Sequence, residues 1–145
     1  MGIIRKIERI LNRKHDYSTT KCLFNSLYMD GGSDCFDGKW LKEHMPLIRE
    51  IFLKTPNVDI LCNYGKARHN YSGVCVEDML LEEDNLIVKI KDEKKGKIKS
   101  NINFEFEKPS EGCITIDKGV GSRYALYLYN RKNCPSQIIL SYYNI

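Results

Sequence analysis

The chain lacks any apolar run approaching the roughly 20 residues that a helix needs to span a bilayer. Its uninterrupted stretches stop after a few residues, as at Ile138-Ile139-Leu140. It is poor in proline (4) and moderate in glycine (10) across 145 residues, with no low-complexity tract, which excludes a collagen-like repeat and a disordered chain. It has only three histidines, His15, His44 and His69, at no spacing that joins two of them in one motif. No nucleophile elbow and no nucleotide-binding glycine loop followed by a helix is present. Six cysteines are present, yet no two are separated by two to four residues, so the knuckle that offers two thiolates to one zinc is missing. Neither a metal nor a cofactor is expected.

A secretory leader needs an unbroken apolar core, and here Arg5, Lys6, Glu8 and Arg9 interrupt Ile3, Ile4, Ile7 and Ile10. The opening Met1-Gly2 is followed by Lys6 where a myristoylation signal has Ser or Thr. The expectation is a cytoplasmic protein without a membrane role, in which Cys22, Cys35, Cys62, Cys75, Cys113 and Cys134 stay reduced. Most of them lie in apolar strings, such as Ile60-Leu61-Cys62, where a free thiol packs as a small hydrophobe.

The formal charge is +4, and residues 1–21 alone, with six basic and two acidic side chains, account for it. The body of the chain is balanced but segregated. Glu77, Asp78, Glu82, Glu83 and Asp84 form an acidic cluster, and Lys89, Lys91, Lys94, Lys95, Lys97 and Lys99 follow it. These two fields either steer a charged partner or offset each other across a solvated hairpin.

Ile3, Ile4, Ile7, Ile10 and Leu11 recur at helical steps, which predicts an amphipathic helix over 3–14. Ser18 or Thr19 is placed to cap a second helix with Leu23, Phe24, Leu27 and Tyr28 on one side. Asp30-Gly31-Gly32-Ser33-Asp34 is turn chemistry, and Asp37 reads as the cap of a helix carrying Leu41, Met45, Ile48 and Phe52. Pro46 marks a kink or restart in that helix, and Thr55-Pro56 ends it.

Beyond residue 57 the period falls to two. Strands are predicted at 58–62, 71–76, 86–91, 98–107, 113–116, 124–130 and 137–143. The turns between them are too short for parallel crossovers, so consecutive strands should be antiparallel neighbours. The predicted fold is α+β in one domain, 1–145: N-terminal helices (1–56) packed on one face of an antiparallel meander of five to seven strands (57–145).

Four segments carry residues with possible chemistry. In 64–71, Lys66, Arg68 and His69 combine a proton acceptor with cations, the elements of a metal-independent phosphodiester cleavage, but no second acid–base group is tied to them. Asp30–Gly38 has calcium-loop carboxylates in the wrong order, with Gly32 at position three and Leu41 at position twelve. The Gly119-Val120-Gly121 sequence precedes a strand, not a helix, and reads as a hairpin turn. Finally, Leu126 and Leu128 alternate with Tyr127 and Tyr129, and Tyr143 falls opposite Leu140 and Ile138 in the last strand, so three tyrosines are candidates for an outward row. Tyrosine supplies large contact area at little rotamer cost and concentrates at recognition surfaces.

These features point to a non-catalytic module that binds and occludes a protein partner, as an immunity protein or antitoxin neutralises a cognate toxin. Tyr127, Tyr129 and Tyr143 would serve as anchors, and Glu82, Glu83 and Asp84 would face the cationic cleft of a nuclease toxin. The rival expectation is a nucleic-acid-binding or nucleic-acid-cleaving protein using the basic first helix with Lys66, Arg68 and His69, although its aromatics and cations lie on different segments. A homodimer closed by the tyrosine face is a third.

Overall fold

A computed structural model describes residues 20–64, 67–83, 85–91, 93–94, 97–98, 102–107, 109–117, 122–130 and 136–144. The predicted helix at 3–14, its neighbours His15, Ser18 and Thr19, and Lys66, Asp84, Cys134 and the 119–121 turn lie outside the described residues.

Helix α1, described over 20–27, buries Phe24 and Leu27 and runs into a π-turn at Tyr28–Gly32. Gly31 there takes φ +93°, a conformation open to glycine at no steric cost. A two-residue strand, β1 (Phe36–Asp37), leads into α2 (Gly38–Lys54). The Asp37 carboxylate accepts the Trp40 backbone N–H at 2.9 Å, satisfying one of the orphan donors of the first turn.

Leu41, Met45, Ile48, Ile51 and Phe52 form the buried stripe of α2. Contrary to the expectation of a restart, α2 runs through Pro46 as one helix. Proline removes a single backbone donor, and both Lys42 and Pro46 lie on the exposed side, while the stripe holds both halves to the core. Among the described residues no helix is long and apolar enough to cross a membrane.

The remaining strands are β2 (Val58–Tyr64), β3 (Ala67–Glu82), β4 (Asn85–Lys91), β5 (Glu93–Lys94), β6 (Lys97–Ile98), β7 (Ile102–Glu107), β8 (Glu111–Asp117), β9 (Ser122–Asn130) and β10 (Ser136–Asn144). The α+β class and the antiparallel pairing are as expected, but the strand number is larger. Among the described residues eight strands form one sheet in the order β1-β8-β9-β10-β2-β3-β4-β7, and β5-β6 form a separate ribbon. The predicted strand 98–107 is divided between that ribbon and β7, and β1 was not foreseen.

The order is also not a simple meander. β2-β3-β4-β7 and β8-β9-β10 are each sequential, and β10 joins them by pairing with β2. As a result β7 lies at one margin and β8 next to the other, although only 108–110 connect them. Laid flat, the six strand spacings between β7 and β8 would separate them by roughly 29 Å. The short connector reaches about 13 Å at full extension. The sheet therefore curls.

A bond across the gap fits this closure: the Asn130 side-chain amide donates to the Glu107 carbonyl at 2.9 Å, while Ser110 N–H donates to the Tyr129 carbonyl at 2.9 Å and extends the β8–β9 ladder into the connector. β3 supplies the bend. Its first half pairs with β2 and its second with β4, with Gly73 at φ +66° and a bulge between Val76 and Asp78 at the changeover.

Inside the curl, Val58, Ile60, Val88, Leu128, Ile138 and Leu140 meet the helices. Phe24 stands edge-on to Phe52, Tyr124 and Tyr142, with ring centroids 5.3–6.4 Å apart. The segregated charges offset one another as a cross-strand pattern: Asp78 lies opposite Lys89, and Lys91 Nζ approaches Glu77 at 4.0 Å. Asp78 also binds Arg49 of α2 at 2.9 Å. The Met79 backbone N–H, followed by Arg49, holds the Asp78 carboxyl below its ordinary pKa.

Cysteine placement departs from the expectation of mostly buried thiols. Cys62 is in the core and Cys113 is half-buried, whereas Cys22, Cys35 and Cys75 are exposed. Strand alternation is the reason for Cys75 and Cys113, because their neighbours Val74, Val76 and Ile114 take the inner positions.

Gly112 fixes how β1 lies on the sheet. A Cβ at this position would run into the Tyr127 carbonyl oxygen and lie 2.7 Å from the Phe36 ring. Gly112→Ala should destabilise the protein by about 1–3 kcal/mol, the cost of overpacking a tight site. Gly38→Ala, whose Cβ would meet only the Pro109 carbonyl at 3.5 Å, should be near neutral. Urea midpoints of the two variants test the contrast.

Candidate recognition face

The outer face of β8, β9, β10 and β2 is assembled by register. One cross-strand row holds Glu111, Tyr129, Gln137 and Asn63, with Arg68 of β3 beside Asn63. The next row holds Cys113, Tyr127, Ile139, Leu61 and Asn70. Tyr143 follows, opposite Arg123. Leu126 and Leu128 are 1% and 0% exposed, so the same alternation sends Tyr127 and Tyr129 outward, where both are half-buried. Tyr143 is 48% exposed.

Tyr127 and Tyr129 lie along one strand face with ring centroids 6.5 Å apart and planes 16° from parallel. The Arg123 guanidinium reaches the Tyr127 hydroxyl at 3.5 Å and the Ser141 hydroxyl at 3.4 Å, which ties β9 to β10 on this face. Ala125 and Ser141 are small and sit opposite each other between larger neighbours. A depression of about 220 Å³ opens here, lined by Arg68, Arg123, Asn70, Ile139, Ser141 and Tyr143. Asp59 also lines it, with its carboxylate accepting the Gly73 N–H at 2.9 Å. Burial, together with Cys113, pushes the Tyr129 phenol above its ordinary pKa. Burial likewise raises the Cys113 thiol, opposed by its hydrogen bond with Tyr129.

The three tyrosines share this face, Tyr127 beside Tyr129 and Tyr143 farther along beside Arg123; the acidic residues do not join them. Glu82 and Glu83 are exposed at the far end of β3, where Glu82 pairs with Asn85 and Glu83 takes φ +56° in the turn. Arg68 and His69 are successive strand residues and point to opposite faces. Arg68 turns to the outer depression, and His69 lies opposite Cys62. One finding reverses a sequence-based expectation: Arg68 and Arg123, remote in sequence, line the same depression as Tyr143. Cations and aromatics thus share one surface because the β10–β2 pairing brings β3, which carries Arg68, to the same side as β9 and β10.

A second cluster gathers Asp30, Trp40 and His44. The Asp30–Asp37 segment is a structural clamp: His44 Nε2 lies 2.6 Å from the Asp30 carboxylate, and Nδ1 lies 2.8 Å from the Trp40 carbonyl. Trp40 Nε1 donates to the Asp30 carbonyl at 2.9 Å, and the Trp40 ring stacks between Phe36 and His44 at 4.2 and 3.9 Å. With both ring nitrogens engaged by acceptors, His44 has no site open to a substrate proton. The i, i+4 spacing of Trp40 and His44 was the available signal, but Asp30 reaches them only through the π-turn. Among the described residues no group of three or more Cys, His, Asp or Glu could hold a metal ion. A groove of about 350 Å³ between α2 and the end of β3 is lined by Met45, Pro46, Met79, Leu80 and Leu81, with Arg49 at its rim.

No protein family, curated protein or solved structure matched this chain.

The His44 clamp carries a pH signature. Burial lowers the His44 pKa, but the Asp30 hydrogen bond, the Trp40 carbonyl and the nearby Asp30 and Glu43 charges outweigh it, so the value is raised above 6.5. A raised folded-state value stabilises fully below the unfolded pKa and is lost as pH rises through the folded one. The wild type should therefore lose stability relative to His44→Gln as pH climbs from about 6.5 through the folded-state value, the unfolded reference being near 6.5. Urea unfolding of both proteins across this range checks the sign.

Proposed function

We propose that this protein is a non-catalytic binding module whose tyrosine face occludes a protein partner, in the manner of an immunity protein or antitoxin acting on a cognate toxin in the cytoplasm. The observation that carries the reading is the arrangement of the outer face. An apolar and aromatic centre (Tyr127, Ile139, Leu61) is surrounded by polar groups (Arg68, Asn63, Gln137, Glu111), the pattern of an interface with a desolvated core and wet rim. Tyr127 is held by Arg123 and stacked on Tyr129, so little side-chain freedom is lost on docking. The Glu82–Glu83 turn is a separate acidic surface on the other part of the sheet. It supports contact with a cationic cleft only for a partner that reaches both.

Co-expression with the protein encoded beside it in the native genome tests this. A stoichiometric complex on size-exclusion chromatography is expected, and Tyr127→Ala and Tyr143→Ala should each weaken it by tenfold or more, the loss typical of an interface anchor at about 1.4–2 kcal/mol. Tyrosine variants that bind as well as wild type would remove the face from the interaction. A dimer of the isolated chain that dissociates on the same substitutions would instead make the partner a second copy.

The convergence of Arg68, Arg123 and Tyr143 on one depression, with Tyr127 and Tyr129 on the same sheet face, favours one second reading, a single-stranded nucleic acid whose bases stack on the rings. The two readings separate by salt. On the proposed function, binding to a mixed RNA and DNA pool is weak at about 50 mM salt, whereas phosphate recognition would give tight binding that falls steeply by about 200 mM. Fluorescence anisotropy with labelled oligonucleotides reads the difference.

A further inference from the structure

We propose that Cys35 and Cys113 are a redox pair that closes a reversible cross-strand disulfide between β1 and β8 on exposure to a peroxide. The ladder pairs Asp37 with Glu111 and Phe36 with Gly112, and the same register continued by one residue would set Cys35 opposite Cys113. The faces agree. Cys113 lies two residues from Glu111 on the outer side of β8, and Cys35 Sγ lies 3.8 Å from the Glu111 carboxylate. Directly opposed residues of an antiparallel pair have Cα atoms about 4.5–5.5 Å apart. Disulfides span Cα distances of about 4.4–6.8 Å, so little backbone movement is required. Cys35 lies outside regular structure, immediately before β1, so a small backbone adjustment there breaks no ladder pair.

The two thiols differ in the way such a pair requires. Cys35 is exposed to an oxidant, and its Sγ lies 3.8 Å from the Glu111 carboxylate. Cys113 is half-buried and bonded to Tyr129, so it meets the oxidant second. In the first step the Cys35 sulfur attacks the peroxide: an S–O bond forms, the O–O bond breaks, and one water leaves. In the second, the Cys113 sulfur displaces hydroxide from the Cys35 sulfenic acid. The S–S bond forms, and the hydroxide leaves as a second water with the Cys113 proton. Two thiols lose one electron each and one peroxide gains two. A thiol reductant reverses the bond by exchange.

The test uses the full chain, hydrogen peroxide and dithiothreitol, and needs no partner, so it is independent of the proposed function. After peroxide, two of the six thiols should disappear in a denaturing thiol titration, with the intact mass lower by two hydrogens and no added oxygen. Fragment sequencing of the linked peptides should join Cys35 to Cys113, not Cys22 to Cys113. Dithiothreitol should restore all six thiols. Cys35→Ser and Cys113→Ser should each abolish the linkage while Cys75→Ser retains it, and the oxidised wild type should melt at a higher temperature than the reduced form. Oxygen addition at Cys35 with Cys113 still free, linkage to Cys22 or Cys75, or disulfides only between chains would each overturn the proposal.

Discussion

A three-residue connection cannot carry a chain across a flat sheet from its outermost strand to the far side. The link at 108–110 therefore obliges the eight strands to curl until the ends of β7 and β9 lie within hydrogen-bond reach. The curl in turn dictates which residues can be where. β3 has to serve both halves of the sheet, so it is sixteen residues long and is bent by Gly73 and a bulge where its partner changes from β2 to β4. The concave side has to be filled, and Phe24, Phe52, Tyr124 and Tyr142 fill it with edge-to-face packing against α1 and α2.

The outer face follows from the same closure. Had β10 ended the sheet beyond β9, Tyr127 and Tyr129 would lie near a margin. By pairing with β2 it places them centrally and brings Arg68 across to Arg123. The small pair Ala125 and Ser141 then leaves the depression between larger side chains. Core and recognition face are two sides of one alternation, so a one-residue slip in β9 would exchange the leucines for the tyrosines.

Local physics was legible in the sequence and long-range pairing was not. The period-two pattern located the runs that became β2, β4, β7, β8, β9 and β10, and Asp37 was readable as a cap because its three-residue offset from Trp40 is intrinsic to a helix start. The division of Leu126 and Leu128 from Tyr127 and Tyr129 was equally available. What escaped was everything requiring two distant segments. The strand count fell short because β1 and β5 have two residues each, too few to show a period, and because 98–107 is divided between β6 and β7; β1 also depends on Gly112, whose lack of a side chain admits the Phe36 ring. The convergence of Arg68 with Arg123 depends on β10 pairing with β2, which no local pattern encodes. Pro46 misled in the opposite way: a strong local breaker was outweighed by a continuous apolar stripe on the buried side.

The margins of the sheet differ from its centre in a way that bears on solubility. At one side β7 presents Asn103, Glu105 and Glu107 outward, all exposed. At the other, β1 covers β8 for two residues only, and β8 finishes at the charged Asp117. Carboxylates along one rim and a truncated ladder on the other are poor templates for strand addition, so the molecule discourages edge-to-edge stacking into fibres while leaving its broad convex surface available.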